Sequence, residues 1–349
     1  MEQTPAAATA AETGATPKLR ELFREDWLVG AAVNRDTIVS HADLLDVHFN
    51  SVTPENEMKF ASLHPAENVY AFDDADAIVR FARERGMNVR GHTLVWHNQT
   101  PDWVFSEDGD PDRPADRDTL LARMKAHIDT VVRRYRGDVY AWDVVNEAVA
   151  DEGPDVLRDT KWLRIAGEAY IAKAFEYAHE ADPDALLFYN DYNECQPAKR
   201  EKIYGLVRSL LERGVPVHGI GMQAHWNLFT PAPNDIRAAI ERYASLGVQV
   251  QITEMDVSVY GHEDRRTDLR EPTGEMLRLQ EERYRQFFAV FREYRDVISG
   301  VTFWGVADDR TWLDHFPVRS RKDWPLLFDT RHRPKAAFRA VAELARPKP

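Results

Sequence analysis

One order of elements recurs along most of the chain: an amphipathic helical stretch, a glycine, a short apolar run and a polar end. The glycines at these junctions are Gly86, Gly137, Gly214 and Gly247. Glycine is typical of a helix C-terminus because it adopts the left-handed conformation that ends many helices. Each apolar run after such a glycine predicts a buried strand. The order therefore indicates helices that alternate with strands.

Eight strand segments are predicted in this way, each followed by a helical pattern. Four of them follow the glycines and end near His92, Asn146, Gln223 and Glu254, and the others cover residues 27–33, 50–54, 186–190 and 300–304. Strands that alternate with helices predict parallel pairing and right-handed crossovers. Eight units in about 330 residues favour a single-domain α/β fold, the (β/α)8 TIM barrel. We expect a disordered lead-in over residues 1–18, the barrel over 19–345 and a tail over 346–349.

Composition and charge exclude several classes of protein. The net charge is −13 and no run of lysine and arginine forms a basic stripe, so nucleic acid is not an expected partner. Mean hydropathy is −0.52, and the absence of a long apolar run argues against a membrane span. The single cysteine, Cys195, is expected to be buried and permits no internal disulfide.

The first residues have no signal-peptide pattern, so we expect a cytoplasmic protein, or a secreted or periplasmic one if a leader has been removed. The oligomeric state stays open.

The polar ends of the strands are the candidate functional residues. In a TIM barrel the site lies at the C-terminal ends of the strands, so these side chains should converge on one mouth. Two carboxylates, Glu147 and Glu254, stand at the ends of the fourth and seventh strands. The full set is Glu55, Asn56, Lys59, His92, Asn146, Glu147, Asp191, Tyr192, Gln223, His225, Glu254, Asp256 and Trp304.

Two carboxylates among amides, imidazoles and indoles suit the hydrolysis of glycosidic bonds. One carboxyl group protonates the leaving oxygen while the other attacks the sugar or activates water. Indole faces can stack on sugar rings, although core packing is an equal alternative for each. Six tryptophans follow strand segments and are candidates for the mouth: Trp96, Trp103, Trp226, Trp304, Trp312 and Trp324.

A metal centre is not expected. His92, His97 and His225 lie near the predicted mouth, but their spacing matches no zinc motif. Other histidines, including His41, His48 and His64, are assigned to the core or the surface.

Seven segments in order resemble the strand-end motifs of glycoside hydrolase family 10. They are TPENEMK (53–59), GHTLVWH (91–97), WDVVNEA (142–148), NDYN (190–193), GMQAH (221–225), ITEMDV (252–257) and TFWG (302–305). The resemblance covers about residues 19–345 and implies an endo-1,4-β-xylanase that retains the anomeric configuration. It implies xylan or xylo-oligosaccharides as substrate, and no metal or cofactor. Segments 28–34 and 308–319 are most similar to the intracellular branch of the family.

The resemblance also implies roles for the candidate residues. Glu147 would be the acid/base and Glu254 the nucleophile, an assignment that the residues alone leave open. The charge of Glu254 would keep Glu147 protonated until Glu254 is esterified. His225, Asp256 and Asn146 would support the pair. The implied substrate-binding set is Glu55, Asn56, Lys59, His92, Trp96, Gln99, Asn146, Tyr192, Gln223, His225, Trp304 and Trp312, with Tyr192 on the leaving-group side.

Two other functions stay open. A related retaining barrel hydrolase could act on β-1,4-glucan, since one hydroxymethyl group distinguishes glucose from xylose. A non-catalytic sugar-binding barrel is the second alternative, which the presence of both Glu147 and Glu254 disfavours.

Overall fold

The computed structural model describes residues 16–107 and 109–345. The predicted barrel is confirmed, with eight parallel strands that we label β1 to β8. They are β1 (Leu28–Val33), β2 (Ser51–Pro54), β3 (Asn88–Val95), β4 (Val139–Asn146), β5 (Leu186–Asp191), β6 (Gly219–Met222), β7 (Gln249–Ser258) and β8 (Ile298–Phe303). Each strand pairs with the next, and β8 pairs with β1 to close the barrel, with Leu28 opposite Gly300.

Within residues 16–107 and 109–345, eight longer helices surround the strands. They are α1 (Ala42–His48), α2 (Asp73–Glu84), α3 (Arg117–Arg134), α4 (Ala169–Ala181), α5 (Pro197–Glu212), α6 (Pro233–Ala244), α7 (Gly274–Glu293) and α8 (Ala336–Ala345). Short helices cover Leu19–Leu22, Thr37–Ser40, Phe60–Leu63 and Lys161–Ala166, and 3-10 turns cover Asp102–Val104 and Trp312–Asp314. Outside the barrel, Ser106–Glu107 pairs with Asp110–Pro114, and His225–Asn227 pairs with β7.

The four glycines that were predicted to end helices do lie at helix ends. Gly86, Gly137, Gly214 and Gly247 follow α2, α3, α5 and α6 closely and have φ between 61° and 83°. A side chain is disfavoured at such φ values, so glycine ends these helices at little cost. Cys195 is buried, as expected. The lead-in and tail predictions fall largely on residues 1–15 and 346–349, which lie outside the described residues.

Glycines inside the barrel make room for large side chains on neighbouring strands. A Cβ atom on Gly91 would lie 2.1 Å from the ring of Trp142, and one on Gly221 would lie 2.2 Å from Oδ1 of Asn190. Both contacts are too short for any other residue without local movement. The close approach at Gly221 is what lets Asn190 project into the barrel near its C-terminal mouth. Within the described residues, no helix is long and apolar enough to cross a membrane.

Candidate active site

The mouth of the barrel brings the two predicted carboxylates into one hydrogen-bond network. Gln223 Nε2 donates to Glu147 Oε1 at 2.9 Å and to Asn146 Oδ1 at 3.2 Å. Asn190 Nδ2 donates to the same Asn146 oxygen at 2.9 Å and to Glu254 Oε1 at 2.8 Å. Three amides from β4, β5 and the end of β6 therefore connect the two carboxyl groups and fix their relative position.

Glu254 lies in an environment that favours its ionised form. Its side chain is buried, and His225 Nε2 lies 3.0 Å from its Oε2 while Asn190 donates to Oε1. Burial by itself would raise the pKa of Glu254. The electrostatic effect of His92, the hydrogen bond and charge of His225 and the charge of Lys59 outweigh burial and lower the pKa to about 2. Glu254 is therefore a carboxylate over the whole neutral range.

His225 is held between two carboxylates, as the resemblance implied. Its Nδ1 is 3.0 Å from Oδ2 of Asp256, and its Nε2 contacts Glu254. Burial disfavours the charged imidazole. The charge and hydrogen bond of Asp256, followed by those of Glu254, overcome that effect and raise the pKa of His225 to about 10. Both ring nitrogens therefore donate.

Glu147 has a different environment. It follows β4 directly, is half-buried and has φ of 56°, a left-handed conformation that is unusual for a residue with a side chain. Trp96 Nε1 donates to its Oε2 at 2.8 Å, and Gln223 donates to its Oε1. Its backbone is held by the N–H bond to the Asn190 carbonyl at 2.9 Å and by Arg158 Nε, 3.1 Å from its own carbonyl. These contacts hold the carboxyl group of Glu147 in one orientation, although the backbone of this residue is strained.

The loops after β2 and β3 form a second polar group beside the carboxylates. Asn56 Oδ1 accepts from Lys59 Nζ at 3.0 Å and from Gln99 Nε2 at 3.3 Å. Lys59 Nζ also lies 5.0 Å from the centre of the Trp96 ring. Glu55 accepts from Asn34 at 3.0 Å, a residue that the sequence interpretation did not select. The sequence therefore placed this group correctly, apart from Asn34.

The six candidate tryptophans divide into two groups. Trp96 Nε1 donates to Glu147, and Trp312 Nε1 donates to Asp256 Oδ2 at 2.8 Å. The rings of Trp304 and His92 are nearly perpendicular, with their centres 5.3 Å apart. For the other three the alternative of core packing holds, since burial of large rings is favoured. Trp226 and Trp324 are in the hydrophobic core, and the partly buried Trp103 packs against it.

Tyr192 belongs to a charged cluster that sequence reasoning did not find. Its hydroxyl donates to Asp151 Oδ2 at 2.5 Å and accepts from Arg158 Nη2 at 2.8 Å. Lys199 Nζ binds the other oxygen of Asp151 at 2.6 Å. Through Arg158 the cluster reaches the Glu147 carbonyl. Its members lie on the loop after β4, directly after β5 and on α5, so no spacing in the sequence connects them.

A buried ion pair beneath the site was also missed. The guanidinium of Arg90 donates to Asp143 Oδ1, and Oδ2 of Asp143 contacts His92 Nδ1 at 2.9 Å. All three side chains are at most 2% exposed. With Nδ1 held by Asp143, the Nε2 atom of His92 is the ring nitrogen left for other contacts. Arg90 and His92 lie two residues apart on β3, a spacing on one face of a strand that is the only sequence signal for the pair.

Fold and site together define a class of protein. An ionised carboxylate on one strand of a (β/α)8 barrel, and a carboxyl group directly after another strand that is bound to an indole and an amide, are the machinery of a glycoside hydrolase.

Comparison with known proteins specifies the family. The pattern of glycosyl hydrolase family 10 matches residues 18–344, and the chain belongs to that family. Endo-1,4-beta-xylanase B of Paenibacillus barcinonensis is 59% identical over 322 residues, 92% of this chain and 96% of that protein. An endo-1,4-beta-xylanase of Geobacillus stearothermophilus is 58% identical over 330 residues, 94% of this chain and 98% of the relative. A crystal structure of the Paenibacillus barcinonensis xylanase bound to a conduramine derivative has a TM-score of 0.92 at 57% identity and covers 95% of this chain and 99% of the other.

Proposed function

We propose that this glycoside hydrolase is an endo-1,4-β-xylanase that cleaves internal β-1,4-xylosidic bonds of xylan or xylo-oligosaccharides with retention. The observation that carries the proposal is the hydrogen-bonded amide network of Asn146, Asn190 and Gln223 between Glu147 and Glu254. Relatives at 58% and 59% identity, which match nearly their whole length, are named endo-1,4-beta-xylanases and support this substrate.

In the first step Glu254 attacks the anomeric carbon while Glu147 gives its proton to the leaving oxygen. The carbon–oxygen bond to the leaving sugar breaks, and an ester forms between Glu254 and the retained sugar. The low pKa of Glu254, about 2, supports the nucleophile role, because the attacking group must be ionised. His225 and Asn190 hold its two oxygens in place.

In the second step water gives a proton to Glu147 and attacks the same carbon, and Glu254 leaves as a carboxylate. In the ester Glu254 carries no negative charge, so Glu147 can be ionised beside it and accept the proton of water. Asn146, hydrogen-bonded to both Gln223 and Asn190, is placed to contact the sugar hydroxyl beside the reacting carbon. Lys59, His92 and Trp304 would surround the glycone side.

The test is the stereochemistry and residue dependence of xylan hydrolysis. Proton NMR of the first product from xylotetraose should show the β-anomer before mutarotation, and Glu254→Ala should abolish release of reducing ends. The α-anomer as first product, or normal activity of Glu254→Ala, would disprove the proposal. Rates on aryl xylobioside and aryl cellobioside, measured side by side, should favour the xyloside; the reverse order would establish the β-glucan alternative. Tight binding of xylotetraose without turnover would establish a sugar-binding barrel.

A further inference from the structure

Two histidines and an aspartate meet on the surface of the barrel, outside the catalytic network. His41 follows the short helix Thr37–Ser40, Asp309 lies on the loop after β8, and His332 lies in the turn before α8. His41 Nε2 is 2.9 Å from Asp309 Oδ1, and His332 Nε2 is 3.4 Å from Asp309 Oδ2. Three separate segments therefore contribute to one cluster.

We propose that His41, Asp309 and His332 form a binding site for Zn²⁺. One donor atom from each residue lies within 4.8 Å of the others. Zinc binds imidazole nitrogen and carboxylate oxygen at about 2.0–2.1 Å, so two ligands of a tetrahedral ion are roughly 3.3 Å apart. His41 Nε2 is 2.9 Å from Oδ1 of Asp309 and His332 Nε2 is 3.4 Å from Oδ2, so each nitrogen is near that distance from one oxygen of the carboxylate. Two imidazoles and one carboxylate are also a ligand set that zinc prefers.

A hydrogen bond with Ser40 orients the His41 ring. Ser40 Oγ lies 2.7 Å from His41 Nδ1, and Nε2 of the same ring lies 2.9 Å from Asp309 Oδ1. In the tautomer that donates from Nδ1, the lone pair of Nε2 faces a carboxylate oxygen, and a cation between the two atoms would bind both. Ser40 thus orients the imidazole as hydrogen-bond partners of ligating histidines do in zinc sites.

His332 is aimed at the cluster by the turn that carries it. Its backbone N–H donates to the Asp329 carbonyl at 2.9 Å, and Asp329 Oδ1 accepts from the backbone of Arg331 and Arg333. His332 has φ of 62°, a left-handed conformation that this turn maintains. His41 is only 3% exposed, while Asp309 and His332 are about one-third exposed. An ion would thus have a fixed inner ligand and an open path from solvent.

Three arginines adjoin the cluster in sequence, Arg310, Arg331 and Arg333. Arg310 pairs with Asp36 at 2.9 Å and Arg333 pairs with Asp329, so the charges of these two are balanced by carboxylates. The net charge of −13 favours the approach of a divalent cation. A bound ion would join the β8 loop to the segments before α1 and α8. That loop also carries Trp312, three residues after Asp309, so zinc would stabilise the part of the loop that contacts Asp256.

The test uses the full-length protein after removal of metals with a chelator. Co²⁺ is added as a spectroscopic substitute for zinc, and the visible absorption of tetrahedral Co²⁺ is titrated. We expect one equivalent to bind and Zn²⁺ to displace it. We also expect Zn²⁺ to raise Tm by several degrees, whereas Mg²⁺ does not. Absence of the Co²⁺ band, or a Tm unaffected by Zn²⁺, would overturn the proposal.

Two variants test whether the metal ion binds at this cluster. His332→Asn should weaken Co²⁺ binding at least tenfold and abolish the Tm rise, and asparagine tolerates the left-handed conformation at this position. His315→Asn, at an exposed histidine outside the cluster, is the matched control and should bind as wild type does. Circular dichroism and Tm without metal verify that both variants are folded. Undiminished binding by folded His332→Asn would place the ion elsewhere and contradict the proposal.

Discussion

Glu254 and Asp256 lie two residues apart on β7 and contact opposite nitrogens of the same ring, that of His225. Each contact is 3.0 Å long. Residues at this spacing in a strand point to the same face, so one strand supplies both the proposed nucleophile and the group that fixes its histidine partner. The ring is therefore a fixed, positively charged donor to Glu254.

Asp256→Asn should lower the pKa of His225 from its wild-type value of about 10. Asp256 is the strongest attractive partner of the imidazolium, and removing its charge lets burial disfavour the charged ring. Nitrogen-15 NMR of histidine-labelled protein measures the titration, with His225→Gln used to assign the resonance. A titration curve identical to that of wild type would contradict this account.

Stability should depend on pH through the same pair. The lowered pKa of Glu254, from 4.5 to about 2, stabilises the fold above pH 4.5, an effect that is lost as pH falls through 2. The raised pKa of His225, from 6.5 to about 10, stabilises the fold below pH 6.5, an effect that is lost as pH rises through 10. His225→Asn should therefore lower the urea midpoint more at pH 5.5 than at pH 10. Equal losses at both values would contradict the linkage; His315→Asn, outside the network, is the control.

Arg90→Met should destabilise the fold by about 3–5 kcal/mol, because it leaves the carboxylate of Asp143 buried without its partner. Urea unfolding measures the free energy. Adding Asp143→Asn should restore part of the loss, since the unpaired charge is then absent. Arg208→Ala breaks an exposed pair with Glu212 that solvent screens, so it should change stability far less. Similar losses for Arg90→Met and Arg208→Ala would disprove the argument.

Trp312→Phe should raise KM for xylo-oligosaccharides several-fold, up to about tenfold, and leave Tm nearly unchanged. The substitution removes the indole N–H bond to Asp256 and shrinks the half-buried ring that lies 4.8 Å from the His225 ring. Trp324→Phe is the matched control, because Trp324 is in the core. It should lower Tm with little effect on KM. If both variants change the same quantity, the division of the tryptophans between site and core is wrong.

Glu147→Ala should slow hydrolysis of unactivated xylo-oligosaccharides by about 10²–10⁴-fold, the range for loss of a general acid. With a dinitrophenyl xylobioside the first step needs no protonation of the leaving group. That step should therefore stay fast and be followed by slow release of the intermediate, visible as a burst of phenolate. The burst separates an acid/base role from a general loss of folding, and equal slowing of both substrates would exclude the role.

Local sequence patterns were sufficient to predict the helices and strands and to select the residues at the strand ends. Gly86 and Gly137 marked helix ends because the left-handed conformation is a local property of the chain. Glu147, Glu254 and His225 could be selected because a barrel delivers the ends of its strands to one face. The order of the family motifs then assigned their proposed roles, which no local pattern distinguishes.

Contacts between distant segments could not be predicted in this way. Trp226 and Trp304 both follow strand segments, but one packs in the core and the other beside His92, because the path of each loop decides which way the ring turns. Arg158 reaches the Glu147 carbonyl from a loop, and His41 meets Asp309 across 268 residues of sequence. No regular spacing of residues in the sequence predicts such contacts.

The sequence by itself determined the barrel, the two carboxylates and the family. Helix ends, strand faces and motif order are properties of short stretches of sequence. Together they specify a parallel barrel. Only the tertiary structure decided which amides link Glu147 to Glu254, why Glu254 is ionised, and that two histidines flank Asp309. Those features depend on burial and on distances of a few ångströms between strands and loops, which exist only after the barrel closes.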